Sequence, residues 1–303
     1  MEMAVETWGM TAKVKGGHPV DNLYMRVPEG SAYLLLGPAG SGKTTLLKIL
    51  LGLKRYTFGE GICLGHNLVL REEHPAIREK AALVEEENRL YPVLKVKDMI
   101  KLCRGFYSSW DEELTQRYLQ DLVSPDDRVS VLSSARKNLL ALVLALAPRP
   151  RLLLLDEPSF QYDAGTRDAF FELLQKEVIA PGNTLLMASR CFKDAERMAH
   201  QVGLFYRGRL LETLPSGDSR LQERHIKVYF QEEPPPGFWE KEGISRVHPV
   251  IKGDYNYLVS VVDNFSGIWE ACRKLSPVYL EEVPVDFEIL LKPYLEEEAG
   301  KHD

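Results

Sequence analysis

The sequence predicts an α/β protein followed by a small α+β domain. Three observations predict this. SAYLLLG (31–37) and RLLLLDEP (151–158) are short, unbroken apolar runs, the pattern of strands buried on both faces. The first turns through glycines into the apolar helix TTLLKILLGL (44–53), the opening of a strand–helix–strand unit. From position 218 onward, strand and helix patterns alternate in short pieces.

The remaining elements follow in order. A helical block spans roughly 95–147. Within it SSWDEELTQRYLQDL (108–122) places Leu114, Tyr118 and Leu122 at four-residue spacing behind early acids, as in a capped amphipathic helix. NTLLMAS (183–189) is a third buried strand, and QVGLFYRGRLLE (201–212) a hairpin around Arg207-Gly208. LPSGDS (214–219) is turn-forming and marks a domain boundary. Beyond it HIKVYFQ, YNYLVSVVD and VYLEEVPVD read as strands. SGIWEACRKL and DFEILLKPYLEEE read as helices. Trp239, Trp269 and Tyr257 are expected in the core of this part rather than around a ligand.

Composition narrows the function. The 303 residues suffice for one sizeable core and a smaller second domain. Hydrophobic residues at 45% and charged residues at 27% fit an ordinary globular chain. A net charge of -6 argues against a nucleic-acid partner, which needs a basic face. The longest apolar stretch, Leu139 to Ala147, is too short to span a bilayer. MEMAVETWGM shows no signal peptide, so a cytoplasmic chain is expected. Cys63, Cys103, Cys191 and Cys272 are scattered, without metal spacing, and are expected as reduced, buried thiols.

The chemistry concentrates in GPAGSGKTT, which fits G-x-x-x-x-G-K-[ST] at Gly37, Gly42, Lys43 and Thr44. Glycines let backbone amides curl around a phosphate, and the helix N-terminus adds its dipole. Lys43 supplies a mobile positive charge to the β and γ oxygens, and the Thr44 hydroxyl a Mg²⁺ ligand. A second oxygen ligand is expected at the end of a neighbouring strand, where Asp156 stands. Glu157 follows, placed to polarise an attacking water.

These residues, in this order, resemble the ATPase subunit of an ABC transporter, over about 1–215. LYP (90–92) and FYSSWD (106–111) bring the resemblance closest to small bacterial exporter ATPases. It implies a P-loop NTPase (RecA-like) core with an antiparallel β subdomain and a helical subdomain at about 95–138, together 1–217. The α+β part, 218–303, would be an accessory or regulatory domain. ATP and Mg²⁺ are the implied ligands. Gly37, Pro38, Ala39, Gly40, Ser41, Gly42, Lys43, Thr44 and Thr45 would hold the phosphates. The implied partners are a second ATP-binding subunit, meeting the first head to tail around two ATPs, and a separate transmembrane permease. The chain would sit on the inner face of the plasma membrane through that permease.

Several positions depart from the family pattern. LSSAR (132–136) stands where the family has LSGGQ, retaining Ser133. Glu86 replaces the Q-loop glutamine, a metal ligand, and Arg190 replaces the switch histidine. Arg190 is a permanent cation able either to bind the γ-phosphate or to tie up Glu157. Val14 aligns with the adenine-stacking aromatic, with Trp8 and Tyr56 as other candidates. Asp163 in SFQYD keeps the D-loop aspartate.

Binding within the subunit is thus intact, while the parts that couple hydrolysis to the γ-phosphate and the partner are altered. A heterodimer with an intact partner is favoured over a homodimer, since each site would then carry one defect. The alternative is an ATP-binding regulatory subunit that barely hydrolyses. A soluble ATPase acting on DNA or ribosomes, or a small-molecule kinase, fits less well. The chain shows no long coiled coil, no second ATPase domain and no arginine-rich lid.

Overall fold

The computed structural model describes residues 2–14, 17–87, 90–119, 123–158, 164–190, 198–250, 254–283 and 290–291. The chain forms two units, Met1–Arg190 with Asp194–Leu214, and Cys191–Lys193 with Pro215–Asp303. The division therefore falls between Leu214 and Pro215, slightly ahead of the expected 217/218.

Unit one runs β1 (Met3–Val14), β2 (Gly17–Pro28), β3 (Ala32–Leu36), α1 (Lys43–Leu50), β4 (Phe58–Cys63), β5 (His66–Asn67), α2 (His74–Lys80) and β6 (Ala81–Val84). It continues α3 (Val96–Arg104), α4 (Glu112–Leu119), α5 (Ser134–Leu146), β7 (Leu152–Asp156), α6 (Ala164–Leu174), β8 (Thr184–Ser189), β9 (Gln201–Tyr206) and β10 (Arg209–Pro215). A six-stranded sheet has the order β10-β9-β3-β8-β7-β6. Its β9-β3-β8-β7-β6 pairings are all parallel. Every residue of β3, β7 and β8 is buried, which explains their unbroken apolar runs. Arg207 and Gly208 turn β9 into β10 with φ of 47° and 83°, the positive values a two-residue hairpin requires.

A second sheet, β2-β1-β4-β5, is antiparallel. Met10, Leu23 and Met25 from it pack with Leu46 and Leu50 of α1 and with Leu154, Leu186 and Phe205 of the large sheet. One continuous apolar core therefore fixes α1, and with it the glycine-rich turn.

Helices α3 to α5 form the expected helical block, with α5 continuing to Leu146. α4 starts at Glu112 because Asp111 caps it, its Oδ1 accepting from the Leu114 amide at 2.7 Å. Leu122 lies outside the described residues. A buried carboxylate ties this block to the core. Glu177, in a π-helical turn after α6, accepts from the Tyr118 hydroxyl at 2.7 Å and from Arg149 Nη1 at 2.8 Å. It also pairs with Arg117 at 3.4 Å. Arg149 in turn holds Asp111 at 2.6 Å. FYSSWD thus ends in a structural joint.

Burial pushes the Glu177 carboxyl up, but Tyr118 and the two arginines outweigh it and hold the group below its ordinary 4.5. Glu177→Ala is expected to cost about 2 kcal/mol in urea unfolding, less than a fully dry ion pair because both arginines are half exposed. The contribution is present above pH 4.5 and lost as pH falls through the lowered value. An unchanged unfolding midpoint at neutral pH would show that water serves Tyr118 and the arginines equally well.

Unit two contains β11 (Arg224–Tyr229), β12 (Ile244–Pro249), β13 (Asn256–Val261), α8 (Phe265–Lys274) and β14 (Tyr279–Val283), preceded by the short α7 (Ser219–Gln222). Its antiparallel sheet has the order β12-β13-β11-β14. Trp239, Trp269 and Tyr257 pack against its apolar core, Trp239 and Tyr257 with ring centroids 5.1 Å apart. Of the helix expected at DFEILLKPYLEEE, only Leu290 and Leu291 lie among the described residues, and both are buried. Cys63 and Cys272 are buried as expected, whereas Cys103 is only partly so. Cys191 lies outside the described residues.

Candidate nucleotide site

The site forms where β3 and β7 end beside β8. The Ser189 carbonyl accepts the Gly37 amide at 3.1 Å, and the Ala188 carbonyl accepts the Glu157 amide at 2.8 Å. The last residues of β8 thus hold both the phosphate loop and the acidic turn. The β9–β10 turn braces the loop from behind, the Gly208 amide donating to Ser41 O at 2.8 Å.

Gly40 and Gly42 adopt φ of 74° and 109°. A Cβ on Gly42 would collide with the carbonyl of Pro19, so only glycine fits there. Beside Gly40 there is open space, which leaves its backbone accessible to an anion. The cavity has a volume near 270 Å³ and is lined by residues 39–45, Pro19, Glu86, Glu157 and Arg190.

Lys43 is buried and folds back on its own loop. Its ammonium donates to Gly37 O at 2.6 Å and Pro38 O at 3.0 Å and pairs with Glu157 Oε1 at 3.2 Å. Burial pushes its pKa below the ordinary value, against the opposing pull of Glu157. Glu157 has a left-handed backbone, φ 48°, which turns its carboxylate back into the cavity. Its Oε2 accepts the Arg190 amide at 3.1 Å and faces Arg190 Nε at 3.4 Å. Arg190 Nη2 also reaches Glu86 Oε1 at 3.3 Å.

The residues fit a magnesium ion. Asp156 is buried, bonded to the Thr44 side chain, and its Oδ1 has no hydrogen-bond partner among the described residues. Burial raises its pKa; Thr44 opposes this, and the charges of Glu157 and Glu86 add to it. A divalent cation would supply the missing partner and reverse that trend. Among the described residues no cluster of three or more His, Cys, Asp or Glu side chains could hold a metal alone. Magnesium does not need one, because it takes one or two protein oxygens and completes its shell with phosphates and water.

The structure thus brings together the phosphate loop, Asp156, Glu157, Glu86 and Arg190. Ser133 is not among the lining residues. It caps α5, its hydroxyl accepting the Arg136 amide at 3.3 Å, and is exposed at that helix N-terminus. Asp163 lies outside the described residues. Val14 is 52% exposed, and neither aromatic alternative lines this cavity. Trp8 borders a cleft with Tyr24, and Tyr56 a separate cavity with Phe58. Pro19 is the wall that sequence reasoning missed. No local signal marks it, since it arrives on β2 by tertiary packing.

Among the described residues no helix is long and apolar enough to cross a membrane. The family model described as ABC transporter matches residues 20–160. The chain is 25% identical over 288 residues to the ABC transporter ATP-binding protein YtrB of Bacillus subtilis (strain 168), covering 94% of this chain and 95% of that one. It is 31% identical over 232 residues to the uncharacterized ABC transporter ATP-binding protein YcbN of the same organism, covering 73% of each. Among solved structures, a dimeric post-hydrolysis form of the ATP-binding cassette MJ0796 bound to ADP and Pi aligns with a TM-score of 0.62. At 21% identity over 70% of this chain and 98% of that one, this likeness concerns the fold. With its phosphate loop, acidic strand end and extended similarity to such proteins, the chain belongs to the family of ABC transporter ATP-binding proteins.

Proposed function

We propose that this chain is the MgATP-binding subunit of an ABC transporter, closing on ATP with a second such subunit to drive a separate transmembrane permease. The observation that carries this reading is one glycine-rich cavity lined by Lys43 and Thr44, with Asp156 and its orphaned buried oxygen bonded to the Thr44 side chain. Residues 37–45 bind the phosphates, and Thr44, Asp156 and Glu86 hold the Mg²⁺. The bound ion neutralises phosphate charge. Glu157 orients and polarises the attacking water. Ser133 and the free amides of α5 offer an anion grip to the nucleotide of the partner subunit, joined by Asp163. The pairing is proposed as a heterodimer, in which Arg190 and LSSAR fall in different sites. Export is proposed as the direction on the FYSSWD resemblance alone. Asp111 of that motif has a structural task that carries no directional information.

A second reading, a subunit that holds ATP and leaves most hydrolysis to its partner, is favoured by the contact of Arg190 with Glu157. An equilibrium MgATP titration beside steady-state phosphate release separates the two. Binding with release well above that of a Glu157→Gln control supports the motor. Binding with negligible release supports the regulatory subunit, and absence of binding overturns both.

A further inference from the structure

We propose that the cavity between the turn after α1 and the connection from β5 to α2 binds an anionic amphiphile, a single apolar chain ending in an oxyanion. This site shares no lining residue with the nucleotide cavity and does not rest on the MgATP reading.

The cavity has a volume near 730 Å³, against 270 Å³ around the phosphate loop. Concave sites for small molecules run to about 300–1,000 Å³. Its walls divide by chemistry. Leu53, Phe58 and Val69 line it, each more than half exposed. Lys54, Arg55 and Arg71 line it as well, and among the described lining residues there is no carboxylate. Lys13 adds a fourth positive charge beside them, its ammonium 4.8 Å from the Phe58 ring centroid. A chain with a net charge of -6 has gathered cations here against its own composition.

Tyr56 gives the site its sign. Its ring packs against the main core, while its hydroxyl is buried with no hydrogen-bond partner among the described residues. A buried hydroxyl left unpaired costs stability, so a ligand that brings an acceptor is favoured there. Burial, and then the charge of Glu60, pushes the phenol above its ordinary pKa, so it stays protonated and able to donate. A donor without an acceptor, two guanidinium forks and an ammonium all suit one group, an oxyanion. The wall is preformed. Gly52, at φ 66°, lies against the His74 ring, where a Cβ would collide, and His74 Nε2 is 3.0 Å from the Leu68 carbonyl. A protein partner would need about 1,000 Å² or more of contact. A hollow of this size, apolar on one side and cationic on the other, suits a single chain molecule instead.

The test is calorimetric titration of the full chain with dodecanoate and with dodecyl phosphate, both kept monomeric, beside dodecanol as the uncharged control. Saturable binding is expected for at least one anion, with dodecanol weaker by about tenfold or more. Shortening the chain by about two carbons should weaken binding about tenfold. Arg55→Gln and Arg71→Gln should each weaken the anion about tenfold, and Tyr56→Phe about fivefold. Tyr56→Phe should leave the Tm of the free protein unchanged or higher, because the hydroxyl it removes has no partner to lose. MgATP affinity should be the same in all three variants. No binding of either anion, equal binding of dodecanol, or affinities indifferent to Arg55, Arg71 and Tyr56 would overturn the site. So would sedimentation with phosphatidylglycerol vesicles that the same substitutions abolish, without binding of the monomers, which would assign the patch to a membrane surface.

Discussion

Glu157→Gln is expected to lower phosphate release by about two to three orders of magnitude while leaving MgATP binding in place. Glutamine keeps the length and planarity of the side chain, so it still accepts the Arg190 amide that now holds Oε2. It loses the negative charge proposed to polarise water and the ion pair with Lys43. Lys43 keeps its two carbonyl partners, Gly37 and Pro38, so the loop has no reason to collapse. Binding should even tighten slightly, because one of three neighbouring carboxylates has become neutral. Single-turnover hydrolysis beside a titration reads both effects. Unchanged release would mean that another group activates the water.

Lys43→Ala is expected to weaken MgATP binding by about a hundredfold, or about 3 kcal/mol. Its ammonium is already desolvated, so transferring it from backbone carbonyls to phosphate oxygens incurs little further desolvation. Its loss leaves the triphosphate facing Glu157 and Glu86 with Arg190 as the remaining cation among the lining residues. Stability should change much less than affinity, since Glu157 retains its contacts with Arg190. A melting curve run beside the titration distinguishes lost binding from lost folding. Near-normal affinity would relocate the phosphate contact elsewhere.

The parts legible in the sequence were those under the tightest physical constraint. A phosphate loop needs glycine where a Cβ would strike Pro19, and a parallel strand covered on both faces needs an unbroken apolar run. Ser133 was legible only as the serine kept from the family motif, and the structure sets it at the start of α5, its hydroxyl capping that helix. β1 and β2 were not read as strands. In β1, Ala4 and Val5 are buried in succession and the pairing with β2 shifts register at four points, so the alternation that marks a half-buried strand is broken, whereas β2 keeps it at Leu23, Met25 and Val27 and was overlooked. β12, ISRVHP, is mostly half exposed and carries Arg246 and His248, which hid it as a loop. The choice Arg190 makes was equally hidden. Its chemistry allowed phosphate or carboxylate, and only the fold brings Glu86, 104 residues away, to its far nitrogen.

The Glu177 joint has a mechanical consequence. Three segments, the end of α4, the loop after α5 and the π-helical turn after α6, grip one anion. Pulling any of them away leaves part of the ion network unsatisfied, so at this point the helical block and the large sheet behave as a riveted plate.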